Sequence, residues 1–473
     1  MVLAERLVHG GAALVRSESG VIFVEGALPG ERIRIGPVYR AGGTPRADLL
    51  EILEPSPHRR VPVCPLFGEC GGCDWQHLEY SQQLRWKREI LAENFRRLGS
   101  LSISPERIDA VAGAEYGYRN RVQVHPAASG GVGFRRRQSH ETLAVAHCPV
   151  ATPAINAELA RLNVGDQAND DGLRPARTVL VEDEHGVAQG GVQREAVISI
   201  DGAPLHFDPS GFAQSNHALL PELAQRVRKA YTGGVLVDLY AGAGLLTAMI
   251  ATGGRQSHPE KDAAVIGAGE PQSHAGKEPT MICVEPDRRN ARFIADNLAA
   301  QGYAGTVEVI ATTAERAIRR PPLDRVPPDT TVLVDPPRGG LSKAVTRWLV
   351  GAEAAPRAGD AAATNQAGVT RPAGAAATNQ AGVTRPAGAA VTNRAGVTRP
   401  ARAAATNQSG VTRPAGAAAA RVIYVSCDAA ALARDVGRLR HAYHVTHVTL
   451  LDFYPQTAHI EALVILDRRI PTP

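Results

Sequence analysis

Cysteine is scarce in this chain, with six residues in 473, at positions 64, 70, 73, 148, 283 and 427. Long apolar runs are missing as well. Nowhere do about eighteen uncharged apolar residues stand together, and no long apolar run follows a basic start, so neither a membrane span nor a signal peptide is expected. The expected location is the cytoplasm, whose reducing conditions exclude a disulfide framework and leave metal ligand, nucleophile or core filler as roles for the thiols. A large excess of one charge is also absent. Lys and Arg number 52 against 47 Asp and Glu, a net +5, which permits an anionic partner such as nucleic acid without requiring one.

What is present bounds the architecture. A chain of 473 residues with 44% apolar content is too long for one core and reads as two or three domains. Residues 1–57 alternate apolar and polar positions between Gly and Pro breaks, as in "GVIFVEGALPGERIRI", which suits a small OB-like β-barrel. From about 206 onward the pattern is strand, Gly-rich turn and helix: "GGVLVDLYAGAGLLTAMI", "TMICVEPDRRNARFIADNLAAQG", "TVLVDPPRGGLS" and "RVIYVSCD". Such alternation predicts an α/β domain, a Rossmann-like, doubly wound and mostly parallel sheet over 206–473, with ligands at the carboxyl ends of its strands. Residues 58–205 form a small α+β central domain between the two.

Two segments interrupt the last domain. Residues 255–279 are rich in Gly, Pro, Ser and charge and read as a surface loop. At 364, 378, 392 and 406 the chain repeats "TNQAGVTRP", or a near copy, with a period of 14. Each unit carries Pro and Gly and has no Leu, Ile or Phe to stack, so about 353–420 reads as a disordered, basic, low-complexity insertion rather than a solenoid.

The chemistry-bearing positions lie at the predicted strand ends. Residues 255–279 account for 25 of the 47 positions separating Asp238 from Glu285, leaving 22, about the spacing at which an acidic residue accepts ribose hydroxyls in nucleotide-binding sheets. The turn "DLYAGAG" lacks the third Gly of the dinucleotide fingerprint, which favours S-adenosylmethionine over NAD. "VDPPRGG" (334–340) is a stiff loop whose Arg338 suits phosphate or carboxylate, although a Pro-Pro turn after a strand is also an ordinary structural device. Cys427 closes "RVIYVS" and projects into the same crevice. Carbon 5 of uracil is a poor nucleophile, and adding a thiolate to carbon 6 activates it. Carbon-5 methylation of a pyrimidine therefore needs such a cysteine; the alternative is a small buried hydrophobe, a role that fits Cys283. The carbon-5 proton must then leave, and Glu461, opening the apolar strand "HIEALVIL", is either a placed base or a solvated strand end. Upstream, "CPLFGECGGCDWQHL" spaces Cys64, Cys70 and Cys73 as C-x5-C-x2-C, and Cys148 supplies a fourth thiol. Four thiolates suit tetrahedral zinc or a [4Fe–4S] cluster.

In order along the chain, "FVEGALPGE", "CPLFGECGGCDWQHL", "YRNRVQVH", "FAQSN", "DLYAGAG", "VEPD", "VDPPRGG", "VSCD" and "HIEALVIL" resemble the RNA uracil-5-methyltransferase family, in the branch with a TRAM domain and an iron–sulfur cluster. The resemblance implies that Cys64, Cys70, Cys73 and Cys148 hold a [4Fe–4S] cluster and that Gln214, Tyr240, Glu285 and Asp335 contact S-adenosyl-L-methionine. It implies Cys427 as nucleophile and Glu461 as base, acting in a monomer on a uridine flipped from a single-stranded loop of rRNA or tRNA. Leu245 stands where many relatives carry Asn, and both insertions are foreign to the compact family. Two alternatives stay open: a cytosine-5 RNA methyltransferase, against which Glu461 and the cluster cysteines weigh, and a metal-stabilised RNA-binding protein with an idle methyltransferase domain.

Overall fold

Alternation in the first 54 residues builds a sheet of seven strands: β1 (Val2–Leu7), β2 (Ala13–Ser17), β3 (Gly20–Val24), β4 (Arg32–Ile35), β5 (Tyr39–Ala41), β6 (Thr44–Ala47) and β7 (Leu49–Glu54). Their order is β5-β6-β3-β2-β1-β4-β7, antiparallel except between β3 and β6. The apolar positions Ala4, Leu7, Val15, Ile22, Val24 and Ile33 are buried. Glu31 in "LPGERI" is buried with them, and its carboxylate accepts from Arg59 at 2.6 and 2.9 Å and from the Leu28 and Ser56 amides at 2.8 and 3.2 Å. Burial opposes its ionisation, yet the Arg59 guanidinium and the two amides outweigh that and hold its pKa below the ordinary value.

The computed structural model describes residues 1–18, 20–164, 177–191, 195–211, 213–251, 280–351 and 419–470. The loop expected at 255–279, the 14-residue repeats and Phe212 of "FAQSN" lie outside the described residues. The described residues belong to one compact unit, Met1–Glu353 with Ala415–Pro473. No helix among them is long and apolar enough to cross a membrane.

After the first sheet, the helix Tyr80–Leu98 buries Gln83, Lys87, Ile90, Leu91 and Phe95, a stripe at helical spacing. Strand β8 (Asp109–Val111) follows, then β9 (Arg121–Pro126), β10 (Val132–Arg135), β11 (Thr142–Ala144), β12 (Thr178–Asp183) and β13 (Gly186–Gln189). The last five form an antiparallel sheet, β11-β10-β9-β12-β13, and β14 (Ala196–Ile200) with β15 (Ala203–Phe207) makes a hairpin.

The short apolar runs at the end of the chain become β16 (Leu236–Leu239), β17 (Met281–Val284), β18 (Val307–Ile310), β19 (Thr331–Val334), β20 (Arg421–Ser426), β21 (Tyr443–Leu451) and β22 (Glu461–Arg468). Their order is β18-β17-β16-β19-β20-β22-β21-β8. The first five are parallel, β22 is antiparallel to both neighbours, and β8 joins β21 in parallel. Alternate residues feed two cores: Val237, Val332, Val422 and Val464 on one face, Leu236, Leu333, Ile423 and Leu463 on the other. A strand covered on both faces has to be apolar throughout, which explains the unbroken runs. The sheet winds outward from β16 in both directions, so the crevice lies at the carboxyl ends of β16 and its neighbours.

The expected boundary at 205/206 is crossed in two places. β8 comes from the 58–205 segment yet pairs with β21, and the helix Tyr80–Leu98 packs on the helix Ala429–Leu439. That packing is close: a Cβ on Gly437 would stand 2.7 Å from the Gly99 Cα, so neither position tolerates a side chain. Three residues of strand are too few to show a period, which hides β8 from sequence reading.

A buried ion pair fixes this union. Lys87 Nζ donates to Asp452 Oδ1 at 2.6 Å and to the Tyr454 carbonyl at 3.0 Å, and the two side chains are 0% and 1% exposed. At the other end of the sheet the Tyr443 hydroxyl lies 2.8 Å from the Leu349 carbonyl and 3.2 Å from that of Ala419, holding together the residues that flank 352–418. Removing one partner of a dry ion pair strands the other charge, so Lys87→Ala is expected to cost about 3–5 kcal/mol in urea unfolding, with Lys87→Met plus Asp452→Leu costing less than either single loss. A single-mutant loss below about 1 kcal/mol would show that the pair is not dry in solution.

Candidate active site

The turn leaving β16 is compressed: Tyr240, Gly242 and Gly244 have φ of 71°, 59° and 84°. For Tyr240 that left-handed conformation costs on the order of 1 kcal/mol, held by the Tyr240 and Ala241 amides, both of which donate to the Val284 carbonyl at 3.0 Å. Gly242 then points its amide at Glu285 Oε2, 2.9 Å away, while Asp287 N donates to Oε1 at 2.7 Å. Beneath the turn, Asp238 is buried, accepts from the Thr247 hydroxyl, and has no partner at Oδ1 among the described residues. Burial, reinforced by Asp335 and Glu285, pushes its pKa up to about 8.

Asp335 follows β19 and opens the "DPPRGG" loop. The loop is moored by Asp435 on the helix Ala429–Leu439: Oδ2 accepts from Leu341 N at 2.6 Å and from the Tyr424 hydroxyl at 3.1 Å, while Arg434 donates to the Gly339 carbonyl at 2.7 Å. Gly340, with φ of 72°, passes so close that a Cβ would stand 2.3 Å from Asp435 Oδ2. The proline pair stiffens the loop, and Asp435 aims it.

Cys427 occupies the step between β20 and the helix Ala429–Leu439, whose first turn is capped by the Asp428 carboxylate accepting from Ala431 N at 2.7 Å. Ser426 pairs with Ala462 across the β20–β22 ladder, so Cys427 and Glu461 leave adjacent strands at the same level. Glu461 is 2% exposed and neither carboxylate oxygen has a hydrogen-bond partner among the described residues. Burial raises its pKa well above the ordinary range, and Asp335 adds to the effect. Asp335 is itself raised by burial. The Cys427 thiol is pushed up to about 12 by burial, then by Glu461 and Asp335, with Arg338 pulling the other way. Tyr454 feels Glu461, Cys427 and Asp335 and belongs to the same cluster.

Among the described residues the buried Gln214 has no partner at Oε1, and the nearby Asn216 none at Oδ1. Unmet acceptors at Gln214 and Asp238, with the strained turn between β16 and Glu285, fit a polar adenosyl ligand across the carboxyl ends of β16 and β17.

Cys64, Cys70, Cys73 and Cys148 line one cavity of about 580 Å³, together with Arg119. Their backbones are fixed: Cys64 N donates to Gln76 Oε1 at 3.0 Å, Cys70 N to the Leu66 carbonyl at 2.9 Å, and Cys148 N to Asn156 Oδ1 at 2.7 Å. All four thiols are free. Burial raises Cys70, Cys73 and Cys148, Cys73 to about 12. No group of three or more His, Cys, Asp or Glu among the described residues stands close enough to hold a metal ion as placed. By donor type the set suits a thiolate-bound cluster: four thiols line one cavity, with the Gly72 amide directed at Cys70 and those of Val150 and Ala151 at Cys148. Cys283, by contrast, is fully buried in the sheet, as a core filler should be.

Asp335 thus interacts with Asp238, Cys427 and Glu461, Glu285 interacts with Asp238, and Cys64, Cys70, Cys73 and Cys148 line a separate cavity. Sequence reading missed the knot that joins the two regions. Gln456, buried with φ of 68°, exchanges hydrogen bonds with Gln83 at 2.9 and 3.0 Å and accepts from Arg60 at 3.0 Å; its carbonyl receives both Asp74 N and Trp75 N at 3.0 Å. Ala458 N donates to Asp74 Oδ2 at 3.0 Å. The loop preceding Glu461 is therefore tied to the residues next to Cys73. A lone Gln between "FYP" and "TAH" carries no periodic signal that could have revealed this.

Sheet order and crevice define a methyltransferase fold of the S-adenosylmethionine-binding type. Over 98% of this chain and 100% of the other, the fold is shared, at a TM-score of 0.61 and 17% identity, with the tRNA (uracil-54, C5)-methyltransferase of Pyrococcus abyssi in complex with S-adenosyl-L-homocysteine. The family described as tRNA (Uracil-5-)-methyltransferase matches residues 415–469, which span the Cys427 turn and Glu461. Similar along 98% of its length is a 23S rRNA (uracil(1939)-C(5))-methyltransferase of Alkalilimnicola ehrlichii, 29% identical and covered to 95%. An uncharacterized RNA methyltransferase of Streptomyces avermitilis is 27% identical, with 98% and 96% covered. Over nearly its whole length this chain is thus similar to RNA uracil-5-methyltransferases, and its residues 415–469 match that family's model.

The Glu461 carboxylate raises the Cys427 pKa, so Glu461→Gln should lower it and enlarge the thiolate fraction. Alkylation of Cys427 by iodoacetamide at about pH 9, followed by peptide mass spectrometry, is expected to run several-fold faster in Glu461→Gln than in the natural sequence. An equal rate would show that the carboxylate does not act on the thiol.

Proposed function

We propose that the protein transfers a methyl group from S-adenosyl-L-methionine to carbon 5 of a uridine in ribosomal or transfer RNA. The observation that carries this reading is the placement of Cys427 and an unpartnered, buried Glu461 at the same level of neighbouring strands, beside Asp335. Bound in the crevice against Gln214, Tyr240, Glu285 and Asp335, S-adenosyl-L-methionine supplies an electrophilic methyl group.

The remaining steps belong to the chain's own side chains. A uridine flipped from a single-stranded loop enters beside Cys427. The thiol passes its proton to solvent and the thiolate adds to carbon 6; carbon 5, made nucleophilic, takes the methyl group as its bond to the sulfonium sulfur breaks and S-adenosylhomocysteine is left. Glu461 then removes the carbon-5 proton; the electron pair of that C–H bond reforms the 5,6 double bond, and the thiolate leaves carbon 6. A carboxyl whose pKa is lifted by burial is a stronger base than one in water, which suits a proton held on carbon. Arg338 acts to lower the Cys427 pKa, so it favours the attacking thiolate.

In the same reading Cys64, Cys70, Cys73 and Cys148 hold a [4Fe–4S] cluster, which braces the segment tied to the loop before Glu461. Residues 1–57 act as a TRAM barrel that contacts RNA, 58–205 as the cluster domain, and 206–473 as the methyltransferase domain of a cytoplasmic monomer. Gel analysis under denaturing conditions tests the chemistry. Cys427→Ala should bind RNA and transfer no methyl group, whereas Glu461→Gln should accumulate a methylated protein–RNA adduct that the double mutant lacks. Normal turnover by either single mutant would overturn the assignment. Iron analysis tests the cluster: anaerobically purified protein is expected to be brown with about four irons per chain, and Cys70→Ser to be colourless. Stoichiometric zinc without iron would refute it.

A further inference from the structure

The "YRNRV" motif at 118–122 has no part in the chemistry above, yet its side chains converge on the segment that carries Gln214. Residues 213–216 are neither helix nor strand, so no ladder fixes their shape. Asn120, only 2% exposed, supplies the missing constraint. Its backbone amide donates to the Ser215 carbonyl at 3.2 Å. Its side-chain Oδ1 accepts from His217 N at 3.1 Å, while Nδ2 lies 2.5 Å from His217 Nε2 and 3.5 Å from the Gln214 carbonyl.

The orientation of that amide is settled by chemistry. The partner of Oδ1 is a backbone N–H, which can only donate, so Nδ2 is the group facing His217 and must donate to Nε2. His217 is then neutral with its proton on Nδ1, which agrees with burial lowering its pKa to about 4. Arg121 holds the other side of the segment, donating to the Gly211 carbonyl at 2.8 Å. Between these grips the Gln214 side chain is buried and its Oε1 is left without a partner. A buried acceptor kept unmet on a segment so firmly held is a group reserved for a ligand.

We propose that Asn120 is a positioning residue for cofactor binding, fixing the main chain from Gln214 to His217 so that the Gln214 amide is presented to S-adenosylmethionine. The inference rests on the reading of Gln214 as a cofactor contact. Neither Asp nor Ser at position 120 would serve: a carboxylate would set an oxygen against the Gln214 carbonyl, and a hydroxyl is too short to span Gln214 and His217 together.

The test is a double-mutant cycle on the full-length protein, with S-adenosylhomocysteine binding read by calorimetry. Asn120→Ala and Gln214→Ala are each expected to weaken binding about tenfold, the worth of one or two lost hydrogen bonds. The double mutant should be no weaker than Gln214→Ala within about twofold, because without the amide there is nothing left to position. Multiplying losses would overturn the inference and make Asn120 a general structural residue. If Gln214→Ala binds normally, the cofactor role of Gln214 falls first, and that outcome is distinct from a normal Asn120→Ala beside a weakened Gln214→Ala, which would sink the positioning role alone. Should Asn120→Ala fail to fold, His217→Ala removes only the ring of the clamp, and the same cycle is run with it.

Discussion

The ion pair between Lys87 and Asp452 is the contact on which the site's geometry rests. Asp452 begins the loop that leads from β21 to Glu461, and Lys87 lies on a helix that precedes β16 by more than a hundred residues. A dry pair of opposite charges is directional and intolerant of slippage, so it sets a register between distant parts of the chain that apolar packing alone would leave loose. Around it Gln83 and Gln456 interlock, and the Tyr118 hydroxyl donates to the Pro455 carbonyl at 2.8 Å. The candidate base is thus positioned from outside its own sheet.

Electrostatics in the crevice follow from the same burial. Asp238, Glu285, Asp335 and Glu461 gather there, and three of them have raised pKa values because water is excluded and their charges reinforce one another. Such a cluster disfavours further negative charge and favours a cation, which accords with a sulfonium cofactor. The same burial and neighbouring carboxylates favour the protonated form of the Cys427 thiol.

Much of this was legible in the sequence. The parallel strands announced themselves as short apolar runs because both their faces are covered, and the polar residues ending those runs had to meet at one edge of the sheet. Cys64, Cys70, Cys73 and Cys148, which the sequence offered as metal ligands, line one cavity. What stayed hidden depends on contacts across long stretches of chain. Asp435 reads as a solvated helix residue yet anchors the Asp335 loop. Glu31 reads as a turn carboxylate yet is buried with four donors. Asn120 lies in a motif that marks the family while giving no hint of what its amide grips. Period and spacing report on neighbours in sequence, whereas these roles are set by partners from about 28 to more than 90 positions away.

The Tyr443 hydroxyl, set between the carbonyls of Leu349 and Ala419, has an evolutionary consequence. Because the two flanks are pinned side by side, the cost of closing whatever chain lies between them grows only with the logarithm of its length. Tandem copies of 14 residues are prone to gain or loss during replication, and at this position such copy-number drift would meet almost no selection from the strand β20 that follows. The stem works as a neutral insertion port, and lineages that share Cys427 and Glu461 are expected to differ freely in the number of repeats between β19 and β20.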